Sequence, residues 1–561
     1  MRELYISLME KALSAYSDEH ILRYLNDVKT KGLTEHGFPR LTANIGILIA
    51  HGRRLDLLTV FTEMMDVCCD MFLRPYVRAA NEFSIREIVC CIAEIDKAKS
   101  VKEEILLCWK QKISQIVPEE CYNVVVKDET ALSTNWAIFG AASECARCHY
   151  GLGENLDFID RQLSCQFKWL DENGMYKDDS DEEIHQPMMY DLVSRGLLAM
   201  LLHWGYKGKF YEQIDDCLKT AGLLSLKMQS TTGEIPFGGR SNQFLFNEAW
   251  MIALFEYEAR RYSKEGNSDL AEAFKAAVAH GLSVTEEWLN KEPIRHIKNR
   301  FPTETKYGCE DYGYFDKYMI TAASNLYAAY LLCDDSIPSP DKADHESVVF
   351  QTSHNFHKLF LKSGGYAIEY DTNADPIYDS NGLGRVHKEG APSAICLSCP
   401  CPPLPCYNVD IEDPFAFSLC SAISEKGSLL FCSDNGNRFE VISAKAEQEL
   451  SSATVMCSFT NGITVKEHYT VSKDGVSITV EGDGDIGYTI PAFCFDGEVS
   501  PEICVGEHIL TVTYNGWICR YTTDGNISDL NRIAANRNGH YRAYVATGKN
   551  ILNLKIEIEK I

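Results

Sequence analysis

Near residue 335 the hydrophobic period of this chain changes, and that change constrains the fold more than any single motif. From the N-terminus to about residue 335, apolar residues recur at helical spacing; beyond "CDDSIPSPDKADHES" they alternate with a period near two. In "PMMYDLVSRGLLAMLLHWGY", residues 188, 189, 192, 193, 197, 200 and 201 form one stripe, and Pro187 suits a first helical turn. Similar segments lie near 41–50, 55–70, 84–96, 131–149, 246–262, 269–289 and 318–332, with short joints rich in Gly, Asn and Asp. Such helical hairpins predict an N-terminal (α/α) toroid or barrel over 1–338, its loops collecting at one mouth. The later segments "GGYAIEY", "SLLFCS", "VSITVEG", "ILTVTY", "YRAYVA" and "LNLKIEIEKI", parted by "KDG", "GDG" and "TDG" turns, predict a C-terminal antiparallel β-sandwich over 346–561. The hinge falls at about 334–346, where Asp, Ser and Pro cluster.

Composition narrows the function. A formal charge of -26 argues against nucleic acid and against an anionic membrane surface, because both are held by basic residues. An anionic substrate would need a local basic cleft set in an acidic exterior. The N-terminal "MRELYISLMEKALSAYSDEH" is an amphipathic pattern interrupted by charges, without a signal-peptide core, and no apolar run reaches the ~18 residues of a membrane span. A cytoplasmic chain is expected, with its 22 cysteines as reduced thiols.

Several motifs carry chemistry. "CARCH" at 145–149 matches a c-type haem attachment pattern but lies inside a helix pattern, so Cys145 and Cys148 read as small core residues. "CLSCPCPPLPC" carries Cys396, Cys399, Cys401 and Cys406, soft ligands of the kind a structural zinc takes. The acidic run 178–183 reads as a solvated loop or a calcium site. No cofactor is required by these readings, and a divalent metal is the one possible addition. In "GEIPFGGRSNQFLFNEAW" a Gly-rich loop leads into a helix that Ser241 or Asn242 would cap, with Arg240, Asn242, Gln243, Asn247 and Glu248 at its mouth as a sugar-binding rim. "STNWAIFGAA" sets Asn135 and Trp136 at a helix start, and Tyr190, Asp191 and Arg195 stand about one turn apart, within reach of one cleft. "DSNGLGRVHKEGAP" reads as a functional loop of the sandwich carrying Arg385, His387 and Lys388. "YGCEDYGYFDKY" offers Glu310, Asp311 and Asp316 among Tyr307, Tyr312, Tyr314 and Tyr318 as part of a cleft wall.

On these residues the chain resembles toroid-plus-sandwich carbohydrate enzymes, above all heparinase II/III-like and oligoalginate-lyase-like polysaccharide lyases. In that family an Asn or His on one toroid helix precedes the catalytic Tyr by a little over fifty residues, and Asn135, "DENGMY" and Tyr190 follow this order. The resemblance implies that a sandwich histidine completes the site, with His387 as its counterpart. The family's His-rich metal segment is missing, and Asp191 follows Tyr190 where a His is often found.

The chemistry can be stated without the family. The C5 proton of a uronate is weakly acidic while the neighbouring carboxylate is charged, so β-elimination needs donors that neutralise it. Asn135 with Arg195 or Arg240 suit that role, each contributing about 3 kcal/mol. A tyrosine base adds roughly 100 to 10,000-fold once cations favour its phenolate; Tyr190 and His387 would divide the base and acid roles. Trp136, Asn242, Gln243, Asp311, Tyr312, Tyr318 and Arg385 would bind substrate, and Arg300 and Lys306 add positive charge. The expected partner is an acidic oligosaccharide. A glucuronidase-type hydrolase using carboxylates among Glu248, Glu304, Glu310 and Asp311 is the alternative, and a non-catalytic sugar-binding protein the third reading.

Overall fold

The inner helices of the N-terminal half have no polar face, and this closes them into a ring. In the helix Gly37–Ala50 every residue from Gly37 to Ile49 is buried. In Met188–His203 the buried set runs through Met188, Met189 and all of Asp191 to Leu201. A helix buried all round must be enclosed by others, so the single stripe read from 188–201 understates how much of this helix is covered. Six helices form the ring: Gly37–Ala50, Ile85–Ala98, Asn135–His149, Met188–His203, Leu245–Lys264 and Phe315–Leu332, each packed on the next and the last on the first. An outer layer covers them, including Leu58–Phe72, Leu156–Leu163, Tyr211–Met228 and Ser268–Leu289. Close approach is built in at Gly46, where a Cβ would lie 2.3 Å from Cys91 Sγ. The structure, a computed structural model, describes residues 1–75, 77–178, 185–340, 346–375, 377–397, 405–412 and 415–561. Most of the acidic run 178–183, together with Cys399 and Cys401, lies outside the described residues.

Ring closure is secured by buried polar groups. Arg40 on the first inner helix donates to Glu87 on the second (3.0 Å) and to Thr321 Oγ1 on the last (2.6 Å). Glu87 also accepts from Arg86 (3.0 Å) and Ser324 (2.6 Å), and Asn44 Nδ2 donates to Ser324 (2.8 Å). Burial pulls the Arg86 guanidinium down to about 10, with Glu87 opposing that shift.

After Leu332 the chain turns to strands, the first at Val348. Among the described residues they make two antiparallel sheets, one of four strands and one of eleven. The smaller sheet follows chain order: Val348–Gln351, Lys358–Ser363, Tyr366–Asp371 and Gly382–Lys388. The larger is built on two long strands, Gly475–Phe495 and Gly539–Lys560, paired from Val476↔Ile556 to Phe495↔His540. Strand alternation gives the small sheet two different faces. Leu359, Leu361, Ile368, Tyr370 and Val386 enter the sandwich core. Phe360 packs on Met175 and Met188 of the helical half, while Glu369, Arg385 and His387 bond to its 230–237 segment.

Two expectations are corrected here. The segment read as a functional loop at 379–392 contains the strand Gly382–Lys388, so Arg385 and His387 belong to a sheet face. The cysteines are not all thiols: Cys432, just after the strand Ser428–Phe431, is joined in a disulfide to Cys457 in the strand Leu450–Ser458. Cys145 is buried as expected, and Cys148 partly so. No described helix is long and apolar enough to cross a membrane.

Replacing Glu87 by Ala would leave the Arg40 and Arg86 guanidinium groups buried without their shared carboxylate. The expected loss is ~3–5 kcal/mol, read as a lower urea midpoint for the helical signal in circular dichroism; an unchanged midpoint would remove this seam as a source of stability.

Candidate functional site

Where the ring opens toward the sandwich, a cavity of about 100 Å³ is lined by side chains from the six inner helices or the turns that lead into them. His36 and Arg40 come from the first, Phe83 from the turn before the second, Asn135 and Phe139 from the third, and Met189, Tyr190 and Val193 from the fourth. Phe246 and Trp250 come from the fifth with Ser241 from the loop before it, and Tyr318 and Thr321 from the sixth. Asn135 and Tyr190, paired by the sequence reading, therefore face one space. Asn135 is the first residue of its helix, and Thr134 holds the cap position. Tyr190 lies in the first turn of a helix whose entry is set by Pro187.

The loop 236–243 forms the rim. Gly239 has φ +82°, and a Cβ there would lie 2.9 Å from Pro187 Cα, so this loop rests directly on the start of the Tyr190 helix. Arg240 is exposed and stands over both Tyr190 (5.4 Å to the ring centre) and Tyr312 (5.2 Å). Its Nε donates to Tyr312 Oη at 3.2 Å, and Ser241 Oγ is 2.7 Å from the same oxygen. Glu310 does not reach the cavity as a free carboxylate, since it accepts from Ser241 N and from Arg537, both at 2.8 Å. Tyr318 stacks on Phe244 and Phe246. Trp136 packs edge-on against Phe83, itself a cavity residue.

Burial pushes the Tyr190 phenol well above its ordinary value, and the neighbouring Tyr312 adds to this; Arg240 and a hydrogen bond with Ser241 act in the opposite direction. Burial also takes the His36 imidazole well below its usual range, aided by Arg40, Lys317 and Arg86. His36 is therefore neutral near pH 7, stacked on Phe83 at 5.0 Å, with a buried Nδ1 that has no protein partner.

Other residues singled out in the sequence lie elsewhere. Arg195 is turned away from Tyr190 toward the outer layer: it holds Asp191 at 2.8 Å and Ser225 at 2.9 Å, and Asp191 accepts from Tyr176 N. Steps of about 100° per residue put 190 on a different side of the helix from 191 and 195. Glu248 is fully buried in an ion pair with Lys298. Neither Ser241 nor Asn242 caps the helix Leu245–Lys264, because Phe244 holds that position. Asn242 and Gln243, although in the rim loop, are buried and present no side chain to solvent; Asn242 donates to Pro236 O, and the Gln243 carbonyl accepts from Lys298 N. Asp311 is exposed, with Lys306 donating to its carbonyl.

His387 does not line the ring cavity. It is buried, its Nδ1 lies 2.6 Å from Ser230 Oγ, and burial with Arg385 nearby lowers it to about 3. Arg385 is held by Glu369 (3.0 Å) and donates to Ile235 O (2.6 Å). These residues tie the segment 230–237 to the sandwich. Cys396 is buried beside Tyr521, whereas Cys406 is exposed. Among the described residues no group of three or more His, Cys, Asp or Glu is placed to hold a metal.

Several groups at the mouth escape the sequence reading. Arg537, in the hairpin Asn536–Gly539, reaches across to Glu310 and Gly308 O and lies 4.1 Å from the Tyr407 ring centre. "NRNGH" reads as an Asn-Gly hairpin turn, which conceals the inserted side chain. His357 has φ +50° and is bonded to Asp371, which also holds Lys358; its ring meets His185, two residues before Pro187, edge-on at 5.7 Å. Asp379 accepts from Gly239 N at 2.6 Å, and burial raises it to about 6. His36 and Arg40 carry no local pattern that would distinguish them.

No protein-family model matches this sequence, and no curated protein matches it. Among solved structures, one described as a heparinase III gene product is similar over 93% of this chain and 78% of its own, with a TM-score of 0.50 and 9% identity. Another heparinase III covers 93% and 77% at a TM-score of 0.45 and 9% identity. A glycosyl hydrolase of family 88 from Bacteroides vulgatus covers 59% and 98% at 0.36 and 11%. In architecture, then, this chain is a heparinase-like (α/α) toroid joined to an antiparallel β-sandwich.

Proposed function

We propose that this chain is a carbohydrate-active enzyme that cleaves a glycosidic bond at a uronic acid by β-elimination. The observation that carries the reading is the convergence of Asn135 and Tyr190 on one cavity that also holds His36 and Arg40. Among the described residues lining it there is no carboxylate; of the four acids nominated for hydrolysis, Glu248 is held by Lys298 and Glu310 by Arg537, while Glu304 and Asp311 are exposed and do not line it. Two carboxylates flanking a bond, the requirement of the hydrolytic alternative, are thus not offered by these residues. The likeness of fold to a heparinase III agrees with this reading.

In the proposed reaction the uronate carboxylate is neutralised by the Asn135 amide and by the net positive charge of Arg40 and Arg86, two guanidinium groups that share the single carboxylate of Glu87. This lowers the pKa of the C5 proton and stabilises the enolate that forms on its removal. Tyr190, as phenolate favoured by Arg240, takes that proton. The electron pair then forms the C4–C5 double bond as the C4–O bond breaks, and the phenol of Tyr190 returns a proton to the departing oxygen. His36, neutral and with an unpartnered Nδ1, supplies a further hydrogen-bonding position on the cavity wall. The role first read for His387 passes to groups within the ring. The substrate is an acidic oligosaccharide, and no step requires a metal.

Incubation with uronate-containing oligosaccharides should generate absorbance near the ultraviolet edge from the new double bond, and Tyr190→Phe should reduce it by at least about 100-fold with an unchanged circular dichroism spectrum. A saturated reducing sugar as sole product, or a fully active Tyr190→Phe, would overturn the proposal. Because the base is the deprotonated phenol and burial holds its pKa above the ordinary range, kcat/KM should climb about tenfold per pH unit through neutrality. Arg240→Gln should move that limb to higher pH by removing the cation that favours the phenolate; a flat profile, or one unmoved by the substitution, would exclude Tyr190 as the base.

A further inference from the structure

A second cavity, of about 480 Å³, opens between the outer helix Ser268–Leu289 and the edge of the sandwich. None of its lining residues lines the ring cavity. Two indoles face it, Trp288 from the end of that helix and Trp517 from the strand Trp517–Thr523, both partly exposed. Its buried polar lining is made by Glu234, Lys298, Asn299, Asp496 and Asn538. The walls are held in place across the two domains. Asn538 Nδ2 donates to Lys298 O (3.2 Å) and Asn299 Nδ2 to Arg537 O (2.9 Å), and within the sandwich Tyr541 Oη donates to Ala394 O (2.8 Å) in the loop whose Gly390 lies against Trp517. A ligand entering this space meets a site that needs little reorganisation.

Its chemistry is that of polyol recognition. Indole faces cover the C–H surface of a pyranose while leaving its equatorial hydroxyls free, and carboxylates accept from those hydroxyls. Glu234 is suited to this: burial opposes its charge, yet Lys298, His387 and Arg385 hold it ionised down to about 2, and its approach to Arg385 is long at 3.5 Å. Charge selects within the class. The lining carries the carboxylates of Glu234, Glu287, Glu389 and Asp496 against the cations of Lys298 and Arg300. Lys298 is matched by Glu248, and Arg300 by Asp496 and Glu498. Glu287 is matched in turn by Lys291; among the described lining residues no cation is left over for a uronate, whose charge would be uncompensated there. The volume falls within the usual range for small-ligand sites, about 300–1,000 Å³.

We propose that this interdomain cavity is a glycan-binding site for a neutral pyranose unit, separate from the ring cavity and independent of the reaction assigned to it. Isothermal titration of the full chain with cellobiose, maltose, lactose, N,N′-diacetylchitobiose and sodium glucuronate tests this, with tryptophan fluorescence as a second signal. At least one neutral disaccharide should bind and change the fluorescence, and glucuronate should bind more weakly at this site. Trp517→Ala and Trp288→Ala should each weaken binding about tenfold, Trp517→Phe and Trp288→Phe should retain most of it, and Tyr190→Phe should leave it unchanged. Absence of binding by every neutral disaccharide, tighter binding of glucuronate that Trp517→Ala or Trp288→Ala weakens, equal affinity for the neutral sugars in the folded alanine variants, or loss of their binding in Tyr190→Phe would each overturn the assignment. Loss of elimination activity in Tyr190→Phe bears on the ring cavity alone.

Discussion

Arg40 joins the two ends of the helical ring, and the geometry of the ring cavity depends on that junction. Its guanidinium bridges the first, second and last inner helices through Glu87 and Thr321 while its side chain also lines the cavity. A ring closed only by apolar packing could slide in register at modest cost. A buried cation with fixed acceptors cannot, because any shift leaves a charge uncompensated at several kcal/mol. Closure and site formation thus share a residue, which fixes the separation of His36, Asn135, Tyr190 and Tyr318 around one space.

The second constraint is the two-faced sheet. Its inward face is apolar, as in any sandwich, but its other face carries Lys358, Glu369, Asp371, Arg385 and His387 toward the helices, every one of them buried. Such an interface is a poor source of net stability, since desolvation offsets much of the Coulomb attraction. What it provides is direction. Glu369 accepts from Phe237 N, Asp379 from Gly239 N and Arg385 donates to Ile235 O, so the rim loop at two points and the residue leading into it are each held by a sandwich residue. Left-handed positions at Gly238, Gly239, Ser241 and Gln243 show how far this loop departs from the conformations a free segment prefers. Arg240 stands over Tyr190 because its neighbours are tied down from the opposite domain.

Legibility in the sequence follows from range. The period change at about residue 335 announces both halves, whereas Asn135 and Tyr190, each at the start of a patterned helix, are linked only through the resemblance to the toroid lyases. Misreadings arise where nothing in the local pattern marks the partner that decides a residue's role. Arg385 and His387 occupy alternate positions of a strand that also holds Gly382 and Gly384, so its glycine content suggests a loop where pairing with Tyr366–Asp371 makes a sheet. Glu248 looks like a free acid because Lys298, fifty positions on, cannot be assigned to it from sequence. Arg195 is linked to Tyr190 by proximity along the helix, although the 100° step separates them and Asp191 claims the guanidinium. Arg537 is invisible for the same reason: its acceptor, Glu310, is 227 residues away.

Charge distribution is where an acidic chain and the proposed acidic ligand have to be reconciled. With a formal charge of -26, long-range attraction for a uronate cannot come from the surface as a whole, and at physiological salt exposed charges are screened beyond roughly 8 Å. The local field decides. The ionisable residues lining the ring cavity, among those described, are Arg40, His36, Tyr190 and Tyr318, with Arg240 at its mouth, whereas the interdomain cavity has an excess of carboxylates. Low-dielectric walls of Phe139, Val193, Phe246 and Trp250 around the first cavity strengthen the effect of its cation. The attraction for the proposed uronate would therefore come from the lining of the ring cavity, where the phenol and the amide stand, rather than from the surface of the protein as a whole.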